Sequence, residues 1–224
     1  MQLSGTKKIL LVLLLIVAFV VWQLIGMFGG QYPIVNFPPK GTTIVALGDS
    51  LTEGVGASSP EKNYIGILNA RLGINIINKG VAGNTTPDAL LRLDSDVIAL
   101  KPDIVIILLG GNDYLKKIPQ HETFNNLEVL IKKIQSHGAV VLLLGVRGGL
   151  LHDKFSSDFE DLAHRTGSLF VPNVLDGIVG NAKLMSDEVH PNDAGYLKMA
   201  DKIAPTLGGL VLGAPEKTPE GLSQ

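Results

Sequence analysis

The sequence predicts a three-layer α/β/α sandwich around a five-stranded parallel β-sheet, preceded by an N-terminal transmembrane helix. Within residues 43–208, five short apolar runs alternate with segments of helical spacing. The runs are rich in β-branched residues and do not alternate with polar residues, which is typical of strands covered on both faces. Strands that alternate with helices form parallel sheets that carry helices on both sides.

The transmembrane helix is predicted at residues 9–28, an uncharged run of 20 residues. A helix of this length spans about 30 Å, the thickness of the hydrocarbon core of a bilayer. A cleaved signal peptide is the alternative, but its apolar region is usually only about 7 to 15 residues long. Lys7 and Lys8 precede the run and the next basic residue is Lys40. The positive-inside rule therefore places residues 1–8 in the cytoplasm. Residues 9–28 would be a single-pass anchor in the cell membrane, and the chain after them would lie on the outer side.

Strands and helices are expected to alternate through residues 43–208. The strands are expected at residues 43–47, 74–78, 103–109, 139–146 and 168–171. The helices are expected at residues 60–73, 86–100, 122–138, 152–166 and 192–207. Pro60 suits the first turn of the first of these helices, and Gly73 suits its end. A Gly- and Pro-rich linker, residues 29–42, precedes the sandwich, and a polar tail, residues 209–224, follows it.

The composition excludes several classes of function. The chain has no cysteine, which rules out disulfides, cysteine nucleophiles and thiolate metal sites. Its formal net charge is −2 and it has no cluster of Lys and Arg, so it gives no electrostatic indication of nucleic-acid binding. No motif in the sequence indicates an oligomeric state.

Polar residues directly follow each of the first three predicted strands, and a fourth polar segment comes some way after the fifth strand. They are residues 48–50 after the first strand, 80–84 after the second, 110–113 after the third and 187–191 beyond the fifth. Ligands of open parallel sheets bind at the carboxyl ends of the strands. These four segments are therefore expected to meet at one edge of the sheet.

The residues in these segments suit acyl transfer by a serine. A serine hydroxyl needs an imidazole to take its proton and a third group to orient that imidazole, roles that suit Ser50, His190 and Asp187. The N–H groups of Ser50 and Gly83 and the side-chain amide of Asn112 could hold the oxyanion. Considered one at a time, Ser50 would equally suit a turn or a helix N-cap, and Asn112 a turn.

The order of these segments resembles that of a known family. GDSLTEG, GVAGNTT, GGND and DEVHP occur in the order and approximate spacing of the GDSL esterases, also called SGNH hydrolases. The resemblance covers about residues 43–205 and is greatest to the bacterial arylesterases, lysophospholipases and acyl thioesterases. It implies a flavodoxin-like sheet, a triad of Ser50, His190 and Asp187, and neither a metal nor another cofactor.

We expect a serine esterase that hydrolyses small or medium acyl esters, including lysophospholipids, through an acyl-enzyme. Tyr114, Leu115, Leu150 and Leu151 are candidates to line an acyl groove, and Arg147 could meet a substrate anion. One alternative is a carbohydrate O-acetylesterase that acts on cell-envelope polysaccharide. Another is a catalytically inactive binding module tethered to the membrane.

Overall fold

A single parallel sheet of five strands forms the centre of the structure, a computed structural model that describes residues 32–147 and 154–212. The order of the strands in the sheet is β2-β1-β3-β4-β5. Their bounds are Ile44–Gly48 for β1, Ile76–Gly80 for β2, Ile104–Leu108 for β3, Val140–Leu144 for β4 and Leu169–Val171 for β5. The five strands lie where the sequence predicts them, so the parallel sheet is confirmed.

Helices cover both faces of this sheet. Their bounds are Ser50–Glu53 for α1, Tyr64–Leu72 for α2, Thr86–Asp96 for α3, Gly111–Leu115 for α4, Gln120–Ser136 for α5, Lys154–Thr166 for α6 and Asp193–Leu212 for α7. Helix α2 packs against α7, whereas α3, α5 and α6 pack against one another in turn. These two groups are the outer layers of the sandwich.

The hydrophobic core lies at the three central strands. Every residue of β1, β3 and β4 is buried. Apart from Gly48 at the end of β1, these strands consist of Ile, Val, Leu and Ala. Strands with helices on both faces need apolar side chains on both sides, which explains why their sequences do not alternate.

The helix bounds differ from the sequence predictions where local capping decides them. Pro60 opens a 3₁₀ turn, and α2 begins only at Tyr64, because the Asn63 side chain accepts a hydrogen bond from the N–H of Gly66 (2.9 Å). Helix α3 ends at Asp96, and residues Ile98–Leu100 form a separate 3₁₀ turn. Helices α1 and α4, of four and five residues, were not predicted at all.

The second half of the predicted linker packs against the sandwich. Asn36 has a positive φ of 64°, and its amide donates to the carbonyls of Gln135 and Ala139 at 2.8 and 3.0 Å. The N–H of Val35 donates to the carbonyl of Gly167. These contacts fasten the chain to the turn between α5 and β4 and to the turn between α6 and β5.

The predicted transmembrane helix, residues 9–28, lies outside the described residues. The same is true of residues 213–224 in the predicted tail. Within residues 32–147 and 154–212, no helix is both long and apolar enough to cross a bilayer.

Candidate active site

Ser50 lies at the carboxyl end of β1. Gly48 ends the strand, Asp49 is the N-cap of α1 and Ser50 is its first residue. The Asp49 carboxylate accepts a hydrogen bond from the N–H of Leu51 at 3.0 Å. The chain runs from β1 to β2 on one side and then returns to β3 on the other, so this edge is the topological switch point where open α/β sheets bind ligands.

Two glycines allow α1 to lie against the ends of the strands. A Cβ at Gly48 would collide with the side chain of Thr52, and one at Gly80 would collide with the backbone of Thr52 and Glu53. Both positions are the last residues of their strands, β1 and β2. Any larger residue there would move the helix that carries Ser50.

Ser50, His190 and Asp187 form a hydrogen-bonded chain. The distance from Ser50 Oγ to His190 Nε2 is 3.0 Å, and that from His190 Nδ1 to Asp187 Oδ2 is 2.7 Å. Since a carboxylate can only accept, His190 Nδ1 carries the proton when the imidazole is neutral, and Nε2 is left to accept from the serine. The structure thus brings together the three residues predicted for the triad.

The Asp187 carboxylate is held in its ionised form. Its hydrogen bond to His190, and then those from the N–H groups of Val189 and His190 at 2.8 and 2.7 Å, lower the pKa of Asp187 to about 2. The side chain is 51% exposed, so hydrogen bonds and water together stabilise its negative charge. At neutral pH this carboxylate can orient and stabilise an imidazolium.

Residues 185–191, here called the histidine turn, are closed by contacts among themselves. Met185 and Pro191 form an antiparallel bridge. The N–H and hydroxyl of Ser186 both donate to the carbonyl of His190, at 2.9 and 3.0 Å. The position of the imidazole is therefore fixed largely by its neighbours in sequence.

The segment after α1 connects Ser50 to the histidine turn. Tyr196 on α7 donates its hydroxyl to the carbonyl of Val55 at 2.7 Å. The N–H and hydroxyl of Ser58 donate to Asp193 at the start of α7, at 2.8 and 2.6 Å. Gly56 lies between these contacts with a φ of 91°, and a Cβ there would collide with Ser186 and Pro191.

Three candidate donors to an oxyanion lie in the same groove as the serine hydroxyl. Within residues 32–147 and 154–212, the N–H groups of Ser50 and Gly83 donate to no protein acceptor. The Asn112 amide donates to the carbonyl of Asn84 at 2.9 Å and lies 3.4 Å from the Asp49 carboxylate. Ser50, Gly83 and Asn112, here called the strand-end group, all line one groove.

Two side chains that were not predicted from the sequence hold the loop that contains Gly83. Glu53 accepts from the N–H of Ala82 at 2.5 Å, and Lys116 donates to the carbonyl of Gly83 at 2.8 Å. Gly83 has a φ of 78°, and a Cβ there would meet open space, so it is the backbone conformation that favours glycine. Glu53 lies within the motif after β1 and Lys116 three residues beyond Asp113, but nothing in either pattern indicates a partner in this loop.

Two carboxylates next to the strand-end group in sequence, those of Asp49 and Asp113, are buried. Asp113 accepts from the N–H and hydroxyl of Thr86, which fastens α4 to the start of α3. Burial raises the pKa of Asp49 to about 6, against the lowering effects of the Leu51 N–H and the charge of His190. Both residues accept hydrogen bonds that hold the backbone near the site in place.

The groove beside Ser50 has a volume of about 640 Å³. Tyr114, Leu115 and Arg147 line it, as the sequence predicts. Further apolar residues in its walls are Val55, Val146, Leu175, Val179 and Val189. Tyr114 and Leu115 are 47% and 58% exposed, so they form part of an open rim. Leu150 and Leu151, also predicted here, lie outside the described residues.

The groove also contains charged groups. Besides Arg147, its lining includes Asp176 and Glu188. In the described part of the chain, no three His, Asp or Glu side chains cluster as metal ligands would. All the contacts around Ser50 described above are made by side chains and backbone of the chain itself.

A family model for the GDSL-like lipase/acylhydrolase family matches residues 46–198. Esterase TesA of Pseudomonas aeruginosa is 29% identical over 180 residues, covering 75% of this chain and 89% of that protein. Acetylxylan esterase of Geobacillus stearothermophilus is 28% identical over 209 residues, with 75% and 95% coverage. Thioesterase 1/protease 1/lysophospholipase L1 of Escherichia coli is 27% identical over 177 residues, with 75% and 85% coverage.

Solved structures resemble the fold as well. A crystal structure of TesA superposes with a TM-score of 0.69 at 28% identity, covering 75% of this chain and 99% of the other. The likeness in fold therefore covers nearly the whole of that structure.

Proposed function

The chain belongs to the GDSL-like lipase/acylhydrolase family and is a serine ester hydrolase, and from this premise we propose that it cleaves small or medium acyl esters with Ser50 as nucleophile. The observation that carries the proposal is the continuous hydrogen-bonded chain from Ser50 through His190 to Asp187, with lengths of 3.0 and 2.7 Å. Such a chain is what converts a serine hydroxyl into a nucleophile at neutral pH.

In the first half of the reaction Ser50 becomes acylated. Its Oγ attacks the ester carbonyl carbon while His190 Nε2 takes the hydroxyl proton, and Asp187 stabilises the resulting imidazolium. The tetrahedral intermediate then loses its alcohol as the carbon–oxygen bond breaks. The imidazolium gives its proton to that alcohol, so His190 is neutral again.

In the second half water releases the acyl group. His190 removes a proton from the water as its oxygen attacks the acyl carbon, and it then returns a proton to Ser50 Oγ as the carboxylic acid leaves. In both halves the negative oxygen is held by the N–H groups of Ser50 and Gly83 and by the Asn112 amide. The two N–H groups have no protein acceptor in the described residues, which leaves them available for this oxygen.

The groove supports an apolar acyl group as the preferred substrate part. Tyr114, Leu115 and Val179 give it an open apolar wall, and its volume of about 640 Å³ suits a ligand of moderate size. Arg147 offers a positive charge to an anionic leaving group, such as the headgroup of a lysophospholipid. We therefore rank aryl and medium-chain esters first and lysophospholipids second.

A second candidate function is the removal of O-acetyl groups from cell-envelope polysaccharide. It is favoured by the similarity to an acetylxylan esterase, which extends over 95% of that protein. An acetyl group would leave most of the apolar wall uncovered. The two candidates therefore differ in how the rate depends on acyl length.

Two measurements test the proposal on a soluble chain that begins at Tyr32. A fluorophosphonate probe should label the wild type and not Ser50→Ala. The wild type should hydrolyse p-nitrophenyl butyrate and octanoate faster than the acetate, and faster than acetylated xylan. Absence of labelling overturns the assignment of Ser50, whereas activity confined to acetyl esters supports the second candidate.

We also propose that residues 9–28 anchor the enzyme in the cell membrane with the catalytic domain outside. The proposal rests on the uncharged run and on the two lysines that precede it. The full chain should sediment with membranes and should not be released from them by high salt. A chain that begins at Tyr32 should stay in the supernatant. Recovery of the full chain from the supernatant in a shortened form would instead support a cleaved signal peptide.

A further inference from the structure

Arg92 on α3 points toward the ends of β1 and β2. Its side chain is only 16% exposed. Nε donates to the side chain of Asn84 at 2.6 Å, and the two terminal nitrogens donate to the carbonyls of Lys79 and Gly48, each at 2.9 Å. One of them also meets Asp96, the residue one helical turn further along, at 2.9 Å. A single guanidinium thus joins four groups.

Three of these four partners lie directly behind the strand-end group. Gly48 precedes Asp49 and Ser50 at the end of β1, and Lys79 is next to last in β2. Asn84 immediately follows Gly83. The carbonyl of Asn84 is the acceptor that holds the Asn112 amide at 2.9 Å. Arg92 therefore reaches Asn112 through one residue, by way of both the side chain and the backbone of Asn84.

The geometry of the guanidinium explains why an arginine is used. Its N–H groups lie in one plane and point outward in a fixed fork, so it can hold several acceptors at set positions. The Asn112 amide has two hydrogens, and the Asn84 carbonyl fixes one of them. Fixing the first hydrogen leaves the second with a defined direction, toward Asp49 Oδ2 at 3.4 Å in the free enzyme.

We propose that Arg92 is a positioning residue for the oxyanion site, acting through Asn84 on the Asn112 amide. The inference rests on the proposed function, because it takes the Asn112 amide as a donor to the oxyanion. The ion pair with Asp96 is a separate contact within α3 and is not needed for this role. Arg92 touches neither the substrate nor the reacting atoms, so its effect is on the placement of a donor.

The test measures kcat and KM for p-nitrophenyl butyrate in a double-mutant cycle. Arg92→Ala and Asn84→Ala are each expected to lower kcat about tenfold with KM changed less than twofold, because a misplaced donor weakens binding only in the transition state. The double variant should be no slower than either single variant, since both break the same connection. Asn84→Asp keeps an oxygen for Arg92 Nε and should restore kcat.

The connection to Asn112 is tested in a second cycle. In an Asn112→Ala background, Arg92→Ala should have no further effect on kcat. The proposed role is overturned if, in either cycle, the fold-losses in kcat of the two single variants multiply in the double variant. It is also overturned if Arg92→Ala and Asn84→Ala alone leave kcat unchanged. Asp96→Ala removes the ion pair with Arg92 within α3 and the 3.8 Å ion pair with the Lys79 side chain, but it leaves the hydrogen bonds of Arg92 to Asn84, Lys79 and Gly48 in place. It is therefore the matched control and should keep the wild-type kcat.

Stability and the proposed function are kept separate in this design. If Arg92→Ala does not fold, Asn84→Ala carries the test, because it leaves the contacts of Arg92 to Gly48 and Lys79 in place. A wild type that hydrolyses the ester and is labelled at Ser50, with variants that retain its kcat, overturns the role of Arg92 alone. A wild type that is neither active nor labelled overturns the proposed function and this inference together.

Discussion

The strand-end group and the histidine turn line the same groove, but they are held in place in different ways. Asn112 is fixed by Asn84 and Asp49, which are 28 and 63 positions away in sequence. His190 is fixed by residues no more than four positions away, apart from its contact with Ser50. The geometry around the oxyanion is therefore a property of the assembled sheet, whereas that of the base is largely local.

The carboxylates of the two regions show the same difference. Asp49 is 4% exposed and burial raises its pKa to about 6, whereas the side chain of Asp187 is 51% exposed and hydrogen bonds lower its pKa to about 2. Burial favours the neutral form of a carboxyl group, and donated hydrogen bonds favour the charged form. The comparison indicates that the strand-end group sits on a buried framework and the histidine turn on one exposed to water.

Removing the donor of Asn112 should have the largest effect. Asn112→Ala is expected to lower kcat about 100- to 1,000-fold, as in other sites that lose a side-chain donor to the oxyanion. The KM for p-nitrophenyl butyrate should change little, because the donor acts mainly on the transition state. A kcat within a factor of three of the wild type would show that the Asn112 amide is not a donor to the oxyanion.

Titration of Asp49 should affect stability rather than chemistry. Its folded pKa of about 6 lies above the usual 3.8, so the folded chain holds this proton more tightly than the unfolded chain. This contribution to stability is present in full below about pH 3.8 and is lost as the pH rises to about 6, by up to about 3 kcal/mol.

Urea unfolding between pH 4 and 7.5 measures this contribution. The difference in unfolding free energy between Asp49→Asn and the wild type should increase in favour of the variant as the pH rises through this window. Parallel curves for the two proteins would show that the Asp49 carboxyl is no better protonated in the folded state than in the unfolded state.

Neutralising Asp187 tests how much an exposed orienting carboxylate contributes. Asp187→Asn is expected to lower kcat about 100-fold, at the low end of the range for general acid–base assistance, because water can reach and partly solvate the imidazolium. Rates for p-nitrophenyl butyrate at pH 7.5 measure the loss. A fall of about 10⁴-fold, as for a buried triad carboxylate, would show that the exposure of Asp187 has no consequence for catalysis.

The hydrogen bond between α7 and the segment after α1 should have the smallest effect. Tyr196→Phe removes the hydrogen bond to the Val55 carbonyl and is expected to cost about 1 kcal/mol of stability, with a fall in kcat of a few-fold as Ser50 and His190 lose alignment.

The matched control for this variant is Tyr64→Phe, because Tyr64 is equally buried and its hydroxyl contacts Thr52 at 3.0 Å. It should cost a similar amount of stability without the fall in kcat. Equal losses of kcat in the two variants would mean that the contact of Tyr196 does not align the site.

The sequence allowed the sheet and both regions to be predicted because each depends on a local pattern. Buried strands are recognisable as continuous apolar runs, and polar residues at strand ends indicate where a site lies. Helices α1 and α4 were missed because four or five residues are too few for a helical period to show. Their first residues, Ser50 and Gly111, lie within the motifs GDSLTEG and GGND, so the error concerned their backbone conformation and not their place at the site.

Contacts between distant residues were not predictable from the sequence. Arg92 lies in a helix where an acidic residue four positions later suggests a solvent-exposed pair. Its contacts with Gly48, Lys79 and Asn84 depend on how β1 and β2 come together. Likewise, Asp113 bonds Thr86 across 27 positions, and no local pattern joins the two. Networks of this kind emerge only when the sheet is assembled.

Gly56 has a further consequence for how this enzyme could be altered. At this position the main chain passes so close to Ser186 and the carbonyl of Pro191 that there is no space for even a methyl group. Any side chain introduced there would act as a wedge that pushes nucleophile and base apart without touching either. Gly56 is thus a position where a side chain would lower the rate by lengthening the distance between Ser50 and His190, without removing any reacting group.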